Sequence, residues 1–453
     1  MKRATTRLMA ALLTAAAAHT AARAQDEAAH KWTLQECVEY ALANNLEVKS
    51  GALQTEQAEA QAEGATGQLL PSLSFSTSHN LGWRPWSQST VALSGGTMTS
   101  TQSDATYSGN YALQASWTVW DGGRARRERD SYRLDVEKAE ATNSETTLSI
   151  EEQILQYYVQ ILYEADAARV ADSTLATSQA LLRRGEEMML AGQMARVDVA
   201  QLSAQAAQDH YNLVATQTQL SSYKMSLKQI LEIIKTSDFD VATPDIADDR
   251  VTRPLPTVDE AFATAMESRP EMKSASLSME QAEIQERIAR ASHYPTISLQ
   301  AGVQTGHNSA DDDAVGAQMK QNVNNSVGLS INVPIIDNRQ TRTNKAKAKI
   351  QRRQSEIDKQ SAENNIYKQV ETYLLNAQSA QAQYVAAKAN EESTRQSFDL
   401  VQEQFRLGLK NIAELTQGKT NLLTAQQQLL QSKYTALLNM AMLTLYSSGE
   451  VIL

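Results

Sequence analysis

Four stretches of the chain alternate apolar and polar residues with a period of two. Leu73 and Phe75 alternate with Ser72, Ser74, Ser76 and Ser78, and Tyr111, Leu113, Ala115, Trp117 and Val119 oppose Asn110, Gln114, Ser116 and Thr118. Further on, Ile297, Leu299, Ala301 and Val303 alternate with Ser298, Gln300, Gly302 and Gln304, and Val327, Leu329, Ile331, Val333 and Ile335 with Gly328, Ser330 and Asn332. This alternation predicts strands with one apolar and one polar face. A strand that crosses a bilayer needs about 9–11 residues, with one face to lipid and one to a wet lumen. A sandwich strand would show the same alternation, but four strands among long helices have no second sheet to pack on. Polar, Gly-containing loops are expected at about Gly82–Thr106 and about Asn308–Asn324.

The remaining pattern is helical. Each strand pair follows a helix expected to run about 30 residues, Leu34–Glu63 and Val258–Ser292, and Pro71 and Pro295 close these off because the ring cannot continue the ladder. After each strand pair comes a far longer stretch. Arg124–Leu190 has no Pro and one Gly, and Arg339–Leu407 has neither. At 1.5 Å per residue each reaches about 100 Å. Ile366, Val370, Tyr373, Ala377, Ala380, Tyr384 and Ala387, then Phe398, Val401 and Phe405, step by four and three as a coiled-coil seam does. Ile150, Ile154, Tyr157, Ile161, Ala165 and Ala168 do the same in the first stretch. Gly192 and Gly408 reverse the chain. The return helix from Ile412 carries Leu415, Leu422, Leu429, Ala436 and Leu443, seven apart.

The chain states this order twice. Trp32-Thr-Leu-Gln-Glu36 and Pro256-Thr-Val-Asp-Glu260 stand 224 residues apart, as do Leu70-Pro71 and Tyr294-Pro295. Val119-Trp-Asp121 and Ile335-Ile-Asp337, like Leu190-Ala-Gly192 and Arg406-Leu-Gly408, stand 216 apart. The expected layout is a signal peptide at 1–24, a first repeat at 25–235, a connector at 236–256 and a second repeat at 257–453. The connector is rich in Asp and Pro and reads as a segment wrapped around the outside.

Composition narrows the function classes. Lys2, Arg3 and Arg7, the apolar stretch Leu8–Ala18 and Ala22-Arg23-Ala24 read as an export signal. No apolar run of 18 or more follows it, so no transmembrane helix is expected. Cys37 is the single cysteine, which excludes an internal disulfide, and it reads as a small residue on a helix face. The net charge of −10 argues against nucleic acid. The six His show no metal-ligand spacing, and no nucleophile context or phosphate loop appears. Neither an enzyme nor a cofactor is expected. Asp311-Asp312-Asp313 could attract calcium and reads first as a solvated loop.

Four strands cannot close around a lumen, and open edges facing lipid would leave backbone groups unpaired at several kcal/mol each. Several copies must therefore share one barrel.

The chain resembles the TolC-like outer-membrane efflux proteins over essentially its whole mature length. The resemblance is carried by the paired openings (Thr33-Leu34-Gln-Glu36 and Thr257-Val258-Asp-Glu260), the pre-strand prolines, Trp120-Asp121-Gly122-Gly123-Arg124 with Pro334-Ile-Ile-Asp337-Asn338-Arg339, and the tip sequences. The first tip is Leu190-Ala-Gly192-Gln-Met-Ala-Arg-Val-Asp198. The second is Phe405-Arg-Leu-Gly408-Leu-Lys410-Asn-Ile-Ala-Glu414, followed by Asn421-Leu-Leu-Thr-Ala425.

That resemblance implies a mainly α protein with transmembrane β: long antiparallel coiled-coil hairpins forming a tunnel, and four strands per chain in a trimeric, twelve-stranded outer-membrane barrel. It implies a homotrimer in outer-membrane lipid that docks on a periplasmic adaptor, the membrane fusion protein, and through it on an inner-membrane pump of RND or ABC type. The cargo is expelled by that pump, and the wall itself is passive. An exit duct of type I protein secretion is the neighbouring reading. A non-channel scaffold or an adaptor is another, although an adaptor would carry one hairpin flanked by globular β domains.

The resemblance places Asp198 and Glu414 at the entrance gate, with Phe405 and Lys410 where other members have Tyr and Arg that tie the closed entrance to the aspartate. Phe405 lacks a phenolic donor, Lys410 lacks the guanidinium fork, and Gln417 stands where a second acid is common. Asn411 with Glu414 is also a capping box, and Asp198 lies where a helix start favours negative charge. Gly192, Gly408, Leu190 and Leu407 are candidate adaptor-contact residues. Tyr107, Tyr111, Trp117 and Trp120 suit an interfacial aromatic girdle, or plain packing.

Overall fold

Thr33 and Thr257 start matching helices by the same reciprocal hydrogen bonds. Each Thr side chain accepts from the backbone of Glu36 or Glu260, and each Glu carboxylate accepts from the Thr backbone N–H, at 2.8 Å and 3.0 Å. The computed structural model describes residues 31–453 except 94–95, 235–238, 245 and 312, and only the backbone of residues 84 and 86–104. The expected signal peptide, Asp312 and part of the connector lie outside the described residues.

The helices are α1 Leu34–Asn44, α2 Leu46–Gly67, α3 Arg124–Leu190, α4 Arg196–Ile230, α5 Asp248–Val251, α6 Val258–Ser268, α7 Pro270–Ala291, α8 Val315–Gln321, α9 Gln340–Arg406 and α10 Ile412–Ser448. The strands are β1 Lys31–Trp32, β2 Ser72–Leu93, β3 Gly96–Trp120, β4 Asp240–Val241, β5 Thr296–Asn308 and β6 Asn324–Asn332.

The expected 30-residue helices are each broken once. Asn45 interrupts the first: its Oδ1 accepts from the backbone of Glu47 at 2.8 Å and recaps α2, while its Nδ2 donates to the Ile230 carbonyl at 3.0 Å. Arg269 interrupts the second, because a residue before proline avoids the helical region and Pro270 suits a first helical position.

The chain separates into two units. Among the described residues, the first comprises those within 31–53, 140–273 and 360–453, and the second those within 54–139 and 274–359. Both halves of the sequence contribute to each.

The second unit holds a four-stranded antiparallel sheet in the order β2-β3-β5-β6. The expected loop from Gly82 to Thr106 is instead strand. Paired residues continue from Arg84↔Asp104 past a register shift to Leu93↔Gly96. Thr, Ser and Val throughout this stretch suit a pleated backbone. The second loop contains α8, whose Gln318 accepts from the Asn308 backbone at 2.8 Å. β6 ends at Asn332, short of the expected Ile335, just before Pro334. Gly122 and Gly123 leave β3 with φ of 71° and 77°, and Asn338 and Arg339 take the same left-handed conformation after β6, at 51° and 63°.

The first unit is built on the expected helical seams. Ile150, Ile154 and Ile161 of α3, Ala380 and Tyr384 of α9, and Ala436 and Ala441 of α10 share one core with Cys37 and Ala41 of α1. Ile366 and Val370 join a second core against α6. Small Ala positions let these helices approach closely. The connector packs onto this core. Val241, Ile246 and Val251 are buried in the first core, β4 pairs with β1, and Tyr158 donates to the Ala242 carbonyl at 2.7 Å.

Candidate functional site: the sheet face and the helical tips

Register places like residues side by side across all four strands. Leu73, Ala115, Ala301 and Val327 form one row, and Phe75, Leu113 and Val303, with Asn325 on β6, the next row along. Trp117, Leu299 and Leu329 form a third. These rows share one face. The other face carries Ser74, Gln114, Gly302 and Ser326, then Ser72, Ser116, Gln300 and Gly328. The apolar rows are open in the single chain: Leu73 is 70% exposed and Val327 81%. β2 and β6 are edges without a neighbour among the described residues.

The four aromatic candidates lie on the apolar face in two groups. Tyr107 and Tyr111 precede Trp117 by ten and six residues on β3. A bulge between Thr118 and Trp120 brings Trp120 opposite Ile297, on that same face. Trp117 donates its indole N–H to the Leu69 carbonyl at 3.0 Å, and Trp120 meets Tyr294 edge-on at 6.0 Å. Ten strand residues span about 33 Å.

The tips are built alike. Gly192 and Gly408 have φ of 73° and 77°, and the residue after each donates five residues back, Gln193 to Met188 at 2.8 Å and Leu409 to Gln404 at 2.9 Å. This is the Schellman closure, which glycine enters without a Cβ penalty. Leu190, Leu407 and Leu409 stand exposed at these turns.

Asn411 caps α10 through the reciprocal bonds expected of the capping box, accepting from the Glu414 backbone at 2.9 Å. Lys410 pairs with Glu414 at 2.5 Å rather than with Asp198. The Lys410 ammonium, and next the Asn411 backbone, hold the Glu414 carboxyl below its usual range. Asp198 lies in the first turn of α4, whose N-cap Ala195 offers no side-chain cap. Its charge faces the positive end of the helix. Phe405 packs half-buried beside Leu202, Phe398, Ile412 and Leu415. Gln417 donates to Asn421 at 2.8 Å on its own helix.

One group escaped the sequence reading. Lys419 of α10, Asp209 of α4 and Ser178 of α3 are buried together. The Lys419 ammonium reaches both Asp209 Oδ2 and Ser178 Oγ, Ser178 donates to Asp209, and Gln205 donates to Asp209 Oδ1 at 3.1 Å. A signal was available. Lys419 falls between Leu415 and Leu422, Asp209 between Ala206 and Leu213, and Ser178 between Leu175 and Leu182, each at seam spacing. Three polar residues on three apolar seams point to one another.

An exposed, two-faced antiparallel sheet in a chain of long helical hairpins falls in the class of outer-membrane channels. Residues 37–231 and 262–448 match the family described as outer membrane efflux protein, and the chain belongs to that family. It is 22% identical over 418 residues to the pyoverdine export outer membrane protein OpmQ of Pseudomonas putida, covering 90% of this chain and 86% of that one. It is 21% identical over 336 residues to the outer membrane protein TolC of Escherichia coli, covering 72% of this chain and 67% of that one. Among solved structures, that of CusC superposes with a TM-score of 0.77 at 20% identity over 92% of each chain. The family is one of transport channels, and it locates the chain in the outer membrane with its helical part in the periplasm.

Proposed function

We propose that three copies of this chain close one twelve-stranded barrel and form a passive duct for substrates expelled by an inner-membrane pump through a periplasmic adaptor. The observation that carries this is the sheet: a largely apolar face across four strands, ending in two edges without a neighbour among the described residues. One chain in lipid would leave both edges unsatisfied, at several kcal/mol per group. Pairing β2 of one copy with β6 of the next removes every edge and puts the Ser- and Gln-rich face on the lumen.

The exposed leucines beside Gly192 and Gly408 are the adaptor contacts. Asp198 and the Lys410–Glu414 pair stand at the entrance. Contacts that such exposed charges make between copies are weak, so a threefold set of them holds a gate that docking can release. Two residues of the sheet give the decisive test. Cysteines at Ser74 and Ser326, on a Cys37→Ala background, should report a wet lumen to a membrane-impermeant thiol reagent in detergent-extracted, heat-resistant trimers. A water-soluble monomer that needs no detergent overturns the reading.

A further inference from the structure

His79, Gly109 and His307 occupy one row of the sheet, on β2, β3 and β5. All three belong to the apolar face. With no side chain at Gly109, both imidazoles lean over the central strand. A Cβ placed there would lie 2.4 Å from Cε1 and 3.0 Å from Nδ1 of His307, and 3.1 Å from Nδ1 of His79. Two imidazole nitrogens thus converge on one small volume. Tyr107 and Tyr111, two positions to either side of Gly109, close it. Tyr107 stacks on His79 at 5.8 Å and meets His307 at 5.5 Å, and Tyr111 meets the same two rings at 5.5 Å and 6.2 Å.

The hydrogen bonds are arranged as a metal site needs them. The Tyr107 hydroxyl lies 2.8 Å from His79 Nδ1, and Thr77 Oγ1 lies 3.3 Å from His79 Nε2. The tautomer assigned by donating Nε2–H to Thr77 leaves the Nδ1 lone pair aimed at Tyr107, beside the His307 ring edge that lies over Gly109. His307 is only 9% exposed, and its Nδ1 is enclosed without a hydrogen-bond partner among the described residues. An enclosed imidazole nitrogen with no partner is costly, and a metal ion relieves that cost as well as a hydrogen bond does.

We propose that His79, His307 and the Tyr107 hydroxyl bind an imidazole-preferring transition-metal dication, with Cu²⁺ or Zn²⁺ the fitting ions. Two nitrogens and a phenolic oxygen suit these ions and not Mg²⁺ or Ca²⁺, which take oxygen ligands. Three protein donors leave a fourth position for water or a lipid headgroup oxygen. Two ligand atoms about 2.0–2.1 Å from one ion stand roughly 3.3 Å apart, so the Tyr107–His79 contact opens by about half an ångström to admit it. The bound ion ties β2 and β3 to β5, strands far apart in sequence. The site is complete within one chain and does not depend on how many chains share a barrel.

The test uses full-length protein in detergent, purified without a histidine tag and stripped with chelator. Titration with Cu²⁺ is followed by electron paramagnetic resonance. The expected result is one copper per chain, hyperfine coupling to two imidazole nitrogens, and displacement by Zn²⁺. His79→Phe and His307→Phe each weaken binding at least tenfold and lose one nitrogen from the signal. Gly109→Ala keeps every ligand, pushes the His307 ring off the central strand, and also weakens binding at least tenfold. Tyr107→Phe weakens binding but keeps both nitrogens. Heat-resistance of the oligomer checks that each variant folds. A wild-type signal without two nitrogens overturns the proposal whatever the variants do, as does unchanged binding in His79→Phe/His307→Phe; the cluster is then an aromatic girdle only.

Discussion

Lys419→Met tests how firmly a buried charge pair fixes α10 against the first hairpin. The Lys419 and Asp209 side chains are 8% and 1% exposed, so removing the ammonium strands a carboxylate with only Ser178 and Gln205 as donors. Breaking one partner of such a pair costs about 3–5 kcal/mol, because the remaining charge stays buried and uncompensated. Each 1.4 kcal/mol is about a factor of ten, so amides of α10 near residue 419 that exchange through opening of this segment should lose roughly two to four orders of magnitude of protection. Native-state hydrogen exchange by mass spectrometry on detergent-solubilised oligomers reads this directly. The double variant Lys419→Met/Asp209→Leu removes both charges and fills the space with apolar groups. It should return to within about 1 kcal/mol of wild type, since well-packed apolar replacements of buried pairs are neutral or better. Protection unchanged within fivefold in the single variant, or a double variant as unprotected as the single, refutes the reasoning.

Other expectations follow from the tips and the core. Asp198→Ala should raise single-channel conductance in planar bilayers, and an unchanged conductance removes Asp198 from the gate. The Glu414 carboxyl is held below its ordinary value of 4.5, so its contribution is complete above that value and is lost only as pH falls through the lowered one. Intrinsic-rate-corrected exchange at the start of α10 should therefore stay flat from about pH 7 to 5 and rise below about pH 4; a rise already at pH 6 would contradict this. Burial pushes the Cys37 thiol up to about 12, and the residue is fully buried, so iodoacetamide at pH 8 should leave it unmodified until the protein is unfolded. Asn411→Ala should destabilise the start of α10 by about 1 kcal/mol, measured by exchange of the first-turn amides.

Much of the architecture could be read before any coordinates. The alternation of Leu73 and Phe75 with serines, the seam from Ile366 to Tyr384, and the glycines at 192 and 408 each depend on local geometry: period two, period three and a half, and a left-handed turn. Local rules failed where a longer-range contact decided the outcome. Asn45 breaks the first helix because the Ile230 carbonyl, 185 positions away, draws its side chain. The loop expected between Gly82 and Thr106 is strand because its two arms pair with each other, and a polar composition does not reveal that partner. Lys410 turns to Glu414, one helical turn on, since a pair within the same helix start needs less ordering than one across to another hairpin.

The sequence by itself determined which residues face together, because helical and strand periods are fixed by the backbone and carry the apolar pattern with them. It also determined the doubled order of elements and the two amphipathic strand pairs. The tertiary structure alone decided which polar groups meet. Asp209, Lys419 and Ser178, or His79 and His307, lie on elements distant in sequence, and their convergence depends on helix packing and strand register. Periodicity fixes the face on which a residue sits, but only packing brings its partner within reach.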